Sequence, residues 1–465
     1  SESKPFKSYD KAIAYFNQLE AGGELLFCRG GKFLATQQSR LYNKNCSVES
    51  PCKIGAYGNT SKSRPLIVPN KVDGINFENS GDARADGGYI VENIILISDS
   101  YSHAGIRLYN DVDDLTVKNV HLEGFNVGFY MAGSNKPLPG SNKANDRIVL
   151  RDSIIIKNKK QGVLAACNDC LIENNNFESN GASPNLDHNI YLAKSGEPAR
   201  GITIRNNTLY RSAFVDGKCQ GVSLVGHGLL EDVLIENNII KEDVGAVAGN
   251  CWGISIDPGY AWDESFKNIT IRNNKLINVG SHAIGCASCD GVLIEGNEII
   301  DEGTVVGAGI KVPVREENTT KSRNVVIRNN KIIVNHETAV GIAIGGEHRA
   351  TVTGNTITLP TSTRTTCFKR IEANIDTDIT NNVCKLHSGV SIDDEFIIQP
   401  VVEQIDSPEL TTNSPEIDQS EIVQLPNRSQ EPVLSETISK VDEPILENQN
   451  PLTYTRSITA SEATQ

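Results

Sequence analysis

Between Leu186 and Leu192 the chain reads Leu-Asp-His-Asn-Ile-Tyr-Leu, which sets a carboxylate (Asp187), an imidazole (His188) and a phenol (Tyr191) close together. Those side chains cover the roles that proton-transfer chemistry requires: His188 as base, Tyr191 as proton donor or alternative base, and Asp187 to orient an imidazole or a substrate hydroxyl. Amides at Gln161 and Gln220 and cations at Lys194 and Arg211 are candidates for binding or neutralising an anionic group beside them. Tyr130, Arg107 and Lys311 extend the candidate binding surface. Asp257-Pro-Gly-Tyr260-Ala-Trp262 reads as an aromatic insertion walling one side of it, with Asp257 and Trp262 as contacts.

Residues so far apart in sequence need a repeating scaffold to meet. An alternating apolar segment leads repeatedly into N-N-x-apolar, and the second Asn falls at 175, 207, 238, 274, 297, 330, 355 and 382. Irregular steps of this length indicate a solenoid; the regular Leu spacing of leucine-rich repeats is absent. A second strand per repeat reads x-G-apolar-x-apolar, as in Gly128-Phe-Tyr-Met131, Gly162-Val-Leu-Ala165, Gly221-Val-Ser-Leu224 and Gly253-Ile-Ser-Ile256. Period-two alternation points the apolar residues inward and the intervening ones outward. The asparagines are expected in left-handed turn positions, stacked as a hydrogen-bonded ladder. Ser8 followed by Tyr9 to Leu19 reads as an N-capped amphipathic helix stopped by Gly22-Gly23, a lid for the open β edge.

These paired signatures resemble the pectin-lyase-like superfamily over about residues 24–387. The resemblance implies an all-β chain: a right-handed single-stranded parallel β-helix over 24–390, an N-terminal α-helical cap over 1–23, and a disordered acidic C-terminal tail over 391–465. It also implies that a polymer lies along one outer parallel sheet. The outward residues there read Arg107, Tyr109, Tyr130, Leu164, Tyr191, Ser223, Ser255, Asp257 and Lys311, and the strand starts read Gln161, His188, Gln220, Trp252 and His282. The segment from Ser179 to Leu192 resembles the strand-start region of several β-helix lyases and uronan epimerases, but the D-P-H-D tetrad of the mannuronan epimerases is missing. The expected activity is β-elimination on a uronic-acid polysaccharide, which needs a neutralised carboxylate, a base and an acid. The alternatives are a glycoside hydrolase, which requires a facing pair of carboxyl groups, and a non-catalytic glycan-binding adhesin of the same fold. No cofactor is required, and a calcium-assisted mechanism is compatible although no concentrated acidic run places the ion.

The net charge of −14 is concentrated in the tail, where 15 Asp/Glu face 3 Lys/Arg, leaving 43 against 41 elsewhere. A nearly neutral body without a basic stripe argues against nucleic acid and fits an acidic polysaccharide bound at a local positive patch. No apolar run reaches the length of a membrane span, and the start at Ser1 fits a processed, secreted or periplasmic chain, expected as a monomer. Eleven cysteines point to an oxidising compartment. Cys219 and Cys251, each three residues before the apolar residue of a Gly-led strand, are the firmest expected bridge. Cys46 and Cys52 bracket a loop, and Cys367 and Cys384 close the last coil. Cys167–Cys170 and Cys286–Cys289 look like zinc-ribbon halves, but four coils, roughly 19 Å, separate them, so no metal is assigned. Cys28 remains odd, expected free in a buried strand.

Overall fold

A solenoid must satisfy the backbone donors and acceptors of each coil on the next one. In the computed structural model, which describes residues 6–78, 87–98, 101, 103–132, 144–260, 263–303, 307–313, 321–345, 349–371 and 377–387, three parallel ladders do this. The first ladder holds the Gly-led strands, such as Val127–Met131 and Gln161–Ala165. The second holds strands leading into the asparagines, such as Leu171–Glu173, and the third those that follow, such as Asn176–Glu178. The third is a 13-stranded sheet. The first two merge into a 22-stranded sheet because Ile190–Arg205 and Leu224–Glu236 run on from one into the other. The architecture is the expected right-handed parallel β-helix. The expected tail, 391–465, lies outside the described residues.

The asparagine pairs divide their work. The first member takes the left-handed conformation, with φ of 56° at Asn174, Asn206 and Asn237, and Gly296 and Gly354 replace it in two coils. The second member turns inward as a buried spine. The backbone N–H and the Nδ2 of Asn207 both donate to Oδ1 of Asn238, each at 3.0 Å. Asn238 does the same to Asn274, and the pattern runs from Asn175 to Asn382. Nδ2 also reaches a carbonyl of the preceding coil, such as Ile204 O from Asn238.

Glycine leads the first-ladder strands because neighbouring coils approach there. A Cβ on Gly128 would lie 2.6 Å from Gly162 O, and one on Gly162 equally close to Asn189 O. The N-terminal lid is an α-helix at Tyr9–Ala14 running into a 3-10 turn at Tyr15–Gln18, shorter than the expected helix to Leu19. Ser8 caps it by accepting from Lys11 N, and Tyr9, Ile13 and Phe16 bury onto the first coils.

The outer surface of the second ladder is a charge zipper. Glu173, Arg205, Glu236, Arg272, Glu295 and Arg328 follow one another in register. They pair as Arg205–Glu173 at 2.8 Å, Arg272–Glu236 at 2.7 Å and Arg328–Glu295 at 2.7 Å. That face consumes its own charge.

Five disulfides are present: Cys46–Cys52, Cys167–Cys170, Cys219–Cys251, Cys286–Cys289 and Cys367–Cys384. The zinc-ribbon look-alikes thus close on themselves. Cys28 is free but half-buried rather than buried. The Cys219–Cys251 bridge forms as expected, with a Cα separation of 5.4 Å.

The register assumed for it was wrong by two residues. Leu224 pairs with both Ile190 and Ile254, so Ser223, not Gly221, occupies the glycine position of that coil. Gly221 answers a different close approach, since a Cβ there would meet Asp187 O at 2.4 Å.

Asn238→Ala should cost about 2 kcal/mol or more, because both donors of Asn207 would lose their buried acceptor. Asn237→Ala, which disturbs only a left-handed residue, should cost about 1 kcal/mol. Denaturant unfolding of the two variants measures the difference; equal costs would show that the spine bonds contribute no more than the turn conformation.

Candidate functional site

The zipper leaves the first ladder as the face on which aromatic and imidazole groups gather. Its outward row reads Arg107, Tyr130, Leu164, Tyr191, Val225, Ser255, Gly285 and Lys311 from coil to coil. The strand-start row reads Gln161, His188, Val222, Trp252 and His282, following the same registers. Gln220 and Ser223 therefore drop out of the rows in which they were expected. Val222 and Val225 take their places, and Gln220 donates to Val215 O beside the short hairpin of Phe214–Val215 and Lys218–Cys219.

A ring cluster occupies the middle of this face. Tyr191 lies edge-on to His188 at 5.3 Å between centroids and to His227 at 5.6 Å, and His227 meets Tyr260 at 5.7 Å. The Tyr191 and Tyr260 hydroxyls share a hydrogen bond of 2.7 Å. His188 is only 4% exposed and its Nδ1 lies 3.1 Å from Val222 O. A carbonyl only accepts, so Nδ1 carries the proton and Nε2 keeps its lone pair. Its ring is thus more deeply seated than a residue at the mouth of a groove was expected to be. Burial, helped by the nearby His227, pushes the His188 pKa down to about 3, and burial raises that of Tyr191 well above its ordinary value. Both groups are neutral at pH 7. His227 Nδ1 likewise donates to Asp257 O.

The sequence puts His227 on a turn near the candidate groove and Tyr260 in its aromatic wall, without a role for either, and Glu264 is the member of this cluster that it does not single out. Glu264 is fully buried and accepts from the backbone N–H groups of Gly228, Gly259 and Tyr260. It ties down the turn that brings Tyr260 to Tyr191, while Gly259 packs against the His227 ring. Burial raises its pKa against those bonds. The Pro258-Gly259 turn signalled the loop, but no periodicity marks Glu264 as its anchor.

The remaining candidates are dispersed. Asp187 Oδ2 accepts from Ala182 N at 2.9 Å and Ser183 N at 2.6 Å, so it fixes a turn rather than orienting His188. Lys194 shares the inward parity of Ile190 and Leu192 and is 9% exposed. Arg211 pairs with Asp243 at 2.7 Å and stacks over Tyr210 and Phe214. Arg107 pairs with Asp73 at 3.1 Å, lying over the Tyr130 ring. Gln161 donates to Leu186 O. Asp257 accepts from Ser255 Oγ at 2.9 Å, and Lys311 lies farther along the outward row between Gly285 and Ala343. Trp262 lies outside the described residues. Trp252 stacks on His282, centroids 4.0 Å apart, two coils from His188.

Keeping His188 neutral stabilises the fold fully above pH 6.5, and that contribution is lost as pH falls toward 3, because the unfolded chain takes up the proton first. His188→Asn has no such proton to bind and its amide can still donate to Val222 O. It should therefore lose less stability than the wild type on acidification; superimposable acid-unfolding curves would assign acid sensitivity to other groups. Glu264→Gln turns an NH2 group toward backbone donors, and should lower stability by about 2 kcal/mol in denaturant titrations. An unchanged midpoint would mean that the turn holds itself.

Two family models match, one described as "Right handed beta helix region" over residues 188–383 and one as "Periplasmic copper-binding protein (NosD)" over residues 57–257. Among solved structures, the catalytic unit of a thermostable GH87 alpha-1,3-glucanase from Streptomyces thermodiastaticus strain HF3-3 is similar at 13% identity and a TM-score of 0.58, over 83% of this chain and 68% of that one. The catalytic domain of a GH87 alpha-1,3-glucanase in complex with nigerose gives 14% and 0.55, over 82% and 68%. No curated protein matches the chain. Strand ladders, the right-handed β-helix family model and the structural neighbours agree that the chain has a right-handed parallel β-helix fold.

Proposed function

We propose that the chain is an enzyme that cleaves an acidic polysaccharide by β-elimination over the first ladder. The observation that carries this reading is the pairing of a neutral imidazole with a protonated phenol, His188 beside Tyr191, in one buried cluster. His188 Nε2 takes the C5 proton of a uronate, the C4–O4 bond breaks as the C4–C5 double bond forms, and Tyr191 gives its proton to the departing O4. Tyr260 holds that phenol in place through the shared hydrogen bond. The elimination chemistry uses only side chains and asks for no cofactor.

The GH87 neighbours are alpha-1,3-glucanases, one of them in complex with nigerose, and hydrolysis is the second reading. It asks for two carboxyl groups facing the sugar. Here Asp187 and Glu264 hold backbone N–H groups, and Asp257, directly after the strand Ile254–Ile256, is buried and accepts from Ser255 Oγ. Five disulfides and the periplasmic description of one matching family support an extracytoplasmic site of action. Toward the copper in that description, the trio of His, Cys, Asp or Glu ligand atoms lying close together among the described residues is Cys219, Glu242 and Cys251, and its two sulfurs are joined to each other.

Incubation with uronic-acid polymers should generate the ultraviolet absorbance of an unsaturated uronosyl end. His188→Asn should lower turnover at least about a hundredfold, and Tyr191→Phe should do so comparably while remaining folded. New reducing ends without that absorbance would establish hydrolysis instead, and binding without cleavage would make the chain a glycan-binding protein.

A further inference from the structure

Three of the cations nominated from sequence do not offer themselves to a substrate, and the fourth, Lys311, stands four coils beyond Tyr191 on the outward row. Arg107 and Arg211 are neutralised by Asp73 and Asp243, and Lys194 is buried. An acidic polymer on this face needs positive charge from elsewhere.

It lies one corner away. Where the chain turns from the third ladder into the first, a cleft of about 390 Å3 is lined by Tyr101, Lys157, Lys159, Ser179 and Gly181. Lys157 is engaged by Glu123 at 3.0 Å. Lys159 is exposed, and its ammonium has no hydrogen bond or ion pair among the described residues. The same holds for the hydroxyls of Ser179 and of Tyr101, which is 52% exposed. Three residues bearing hydrogen-bond donors thus line one cleft, with no acceptor for those groups among the described residues. Lys160 follows directly and is also exposed. Three positions before the paired Val163 and Ile190, it stands across from Asp187 on the adjoining coil, close enough to stabilise that carboxylate. Gln161, next in sequence, stands across from His188.

We infer that this corner is an anion subsite, in which Lys159, with Ser179 and Tyr101, takes a carboxylate or sulfate group carried by a sugar unit, and Lys160 supplies charge between it and His188. The inference rests on the proposed reading that a glycan lies over the first ladder, but it concerns binding and not cleavage. A planar or tetrahedral oxyanion suits an ammonium flanked by hydroxyl donors. The half-exposed setting makes the attraction sensitive to salt.

The test is equilibrium binding of the full chain to polygalacturonate, alginate, dextran sulfate and neutral dextran at low and high salt. Wild type should prefer at least one acidic polymer to dextran, and added salt should erase the preference. The first two polymers against the third separate carboxylate from sulfate recognition. The Lys159→Ala/Lys160→Ala double variant should bind that polymer about tenfold more weakly, with dextran binding and melting temperature unchanged. The Lys159→Arg/Lys160→Arg variant should restore it. Equal affinity of wild type and the alanine variant for acidic polymers, or no preference of wild type for any of them, overturns the subsite. Lysine-dependent binding without unsaturated or reducing ends would instead leave the subsite standing and remove the enzymatic reading. Cleavage that depends on His188 but is indifferent to both lysines would do the reverse.

Discussion

Each coil of this protein must hand its turn donors to the coil that follows, and the interior asparagines are how it does so. At the corner between the second and third ladders the backbone changes direction, and the N–H of the turning residue points along the helix axis with no strand partner. The next asparagine's Oδ1 accepts it, and the same oxygen accepts the previous Nδ2. Between Asn175 and Asn382 aspartate would repel its neighbours and serine would not reach both donors, so an uncharged amide fits each level; one coil earlier Ser153 suffices, since Val120 offers it a single N–H. A left-handed residue before it bends the chain tightly enough to aim the amide inward. Once this spine is set, coil spacing and orientation are fixed, and with them the two sheet faces available for function.

Those faces differ in what they leave unsatisfied. Alternating glutamate and arginine on the second ladder neutralise one another in charge-assisted hydrogen bonds of 2.7 to 2.8 Å. Individually such exposed pairs contribute little, yet together they remove that face as a binding surface for a charged polymer. The first ladder has no such alternation. Its outward row mixes tyrosine, valine, serine and glycine, and the loop after Asp257 folds back over it, held by a carboxylate that never meets solvent. A buried anion stabilised by three backbone donors is an expensive way to hold a turn unless the position of the turn matters. What the turn positions is Tyr260, and through it the phenol of Tyr191.

The sequence made the scaffold legible because two periodic signals, the paired asparagines and the alternating strands, are consequences of the same coil repeat. The disulfides followed from that repeat where cysteines fell in neighbouring coils. The site was less legible, and the coil from Gly217 to Gly228 shows why. A glycine before an apolar pair looks the same whether it relieves a clash with the next strand, as Gly162 does, or with a turn carbonyl, as Gly221 does. Choosing the wrong clash displaced the register by two residues, which placed Gln220 and Ser223 in rows that Val222 and Val225 occupy. Glu264 was invisible for a different reason: its partners are backbone amides, which every residue possesses. Whether Arg107, Lys194 and Arg211 were free or engaged depended on which acid or which parity they met, and neither is encoded locally.

Burial sets the protonation states on which any chemistry here depends. Placing an imidazole and a phenol in one cluster of low polarity moves their pKa values apart, the base downward and the acid upward. Each is then held in a single state across a wide range of pH, which suits a base that must be unprotonated and a donor that must not be. The lowered basicity of His188 weakens its pull on a carbon-bound proton, so the acidity of that proton has to be raised from the substrate's side. A positive charge held near the substrate's anionic group would do this, since withdrawing charge from a carboxylate stabilises the carbanion beside it. A cluster that is neutral at its centre therefore asks for cations at its margin, and with Arg107, Arg211 and Lys157 already paired to acids, that is the role proposed for Lys159 and Lys160.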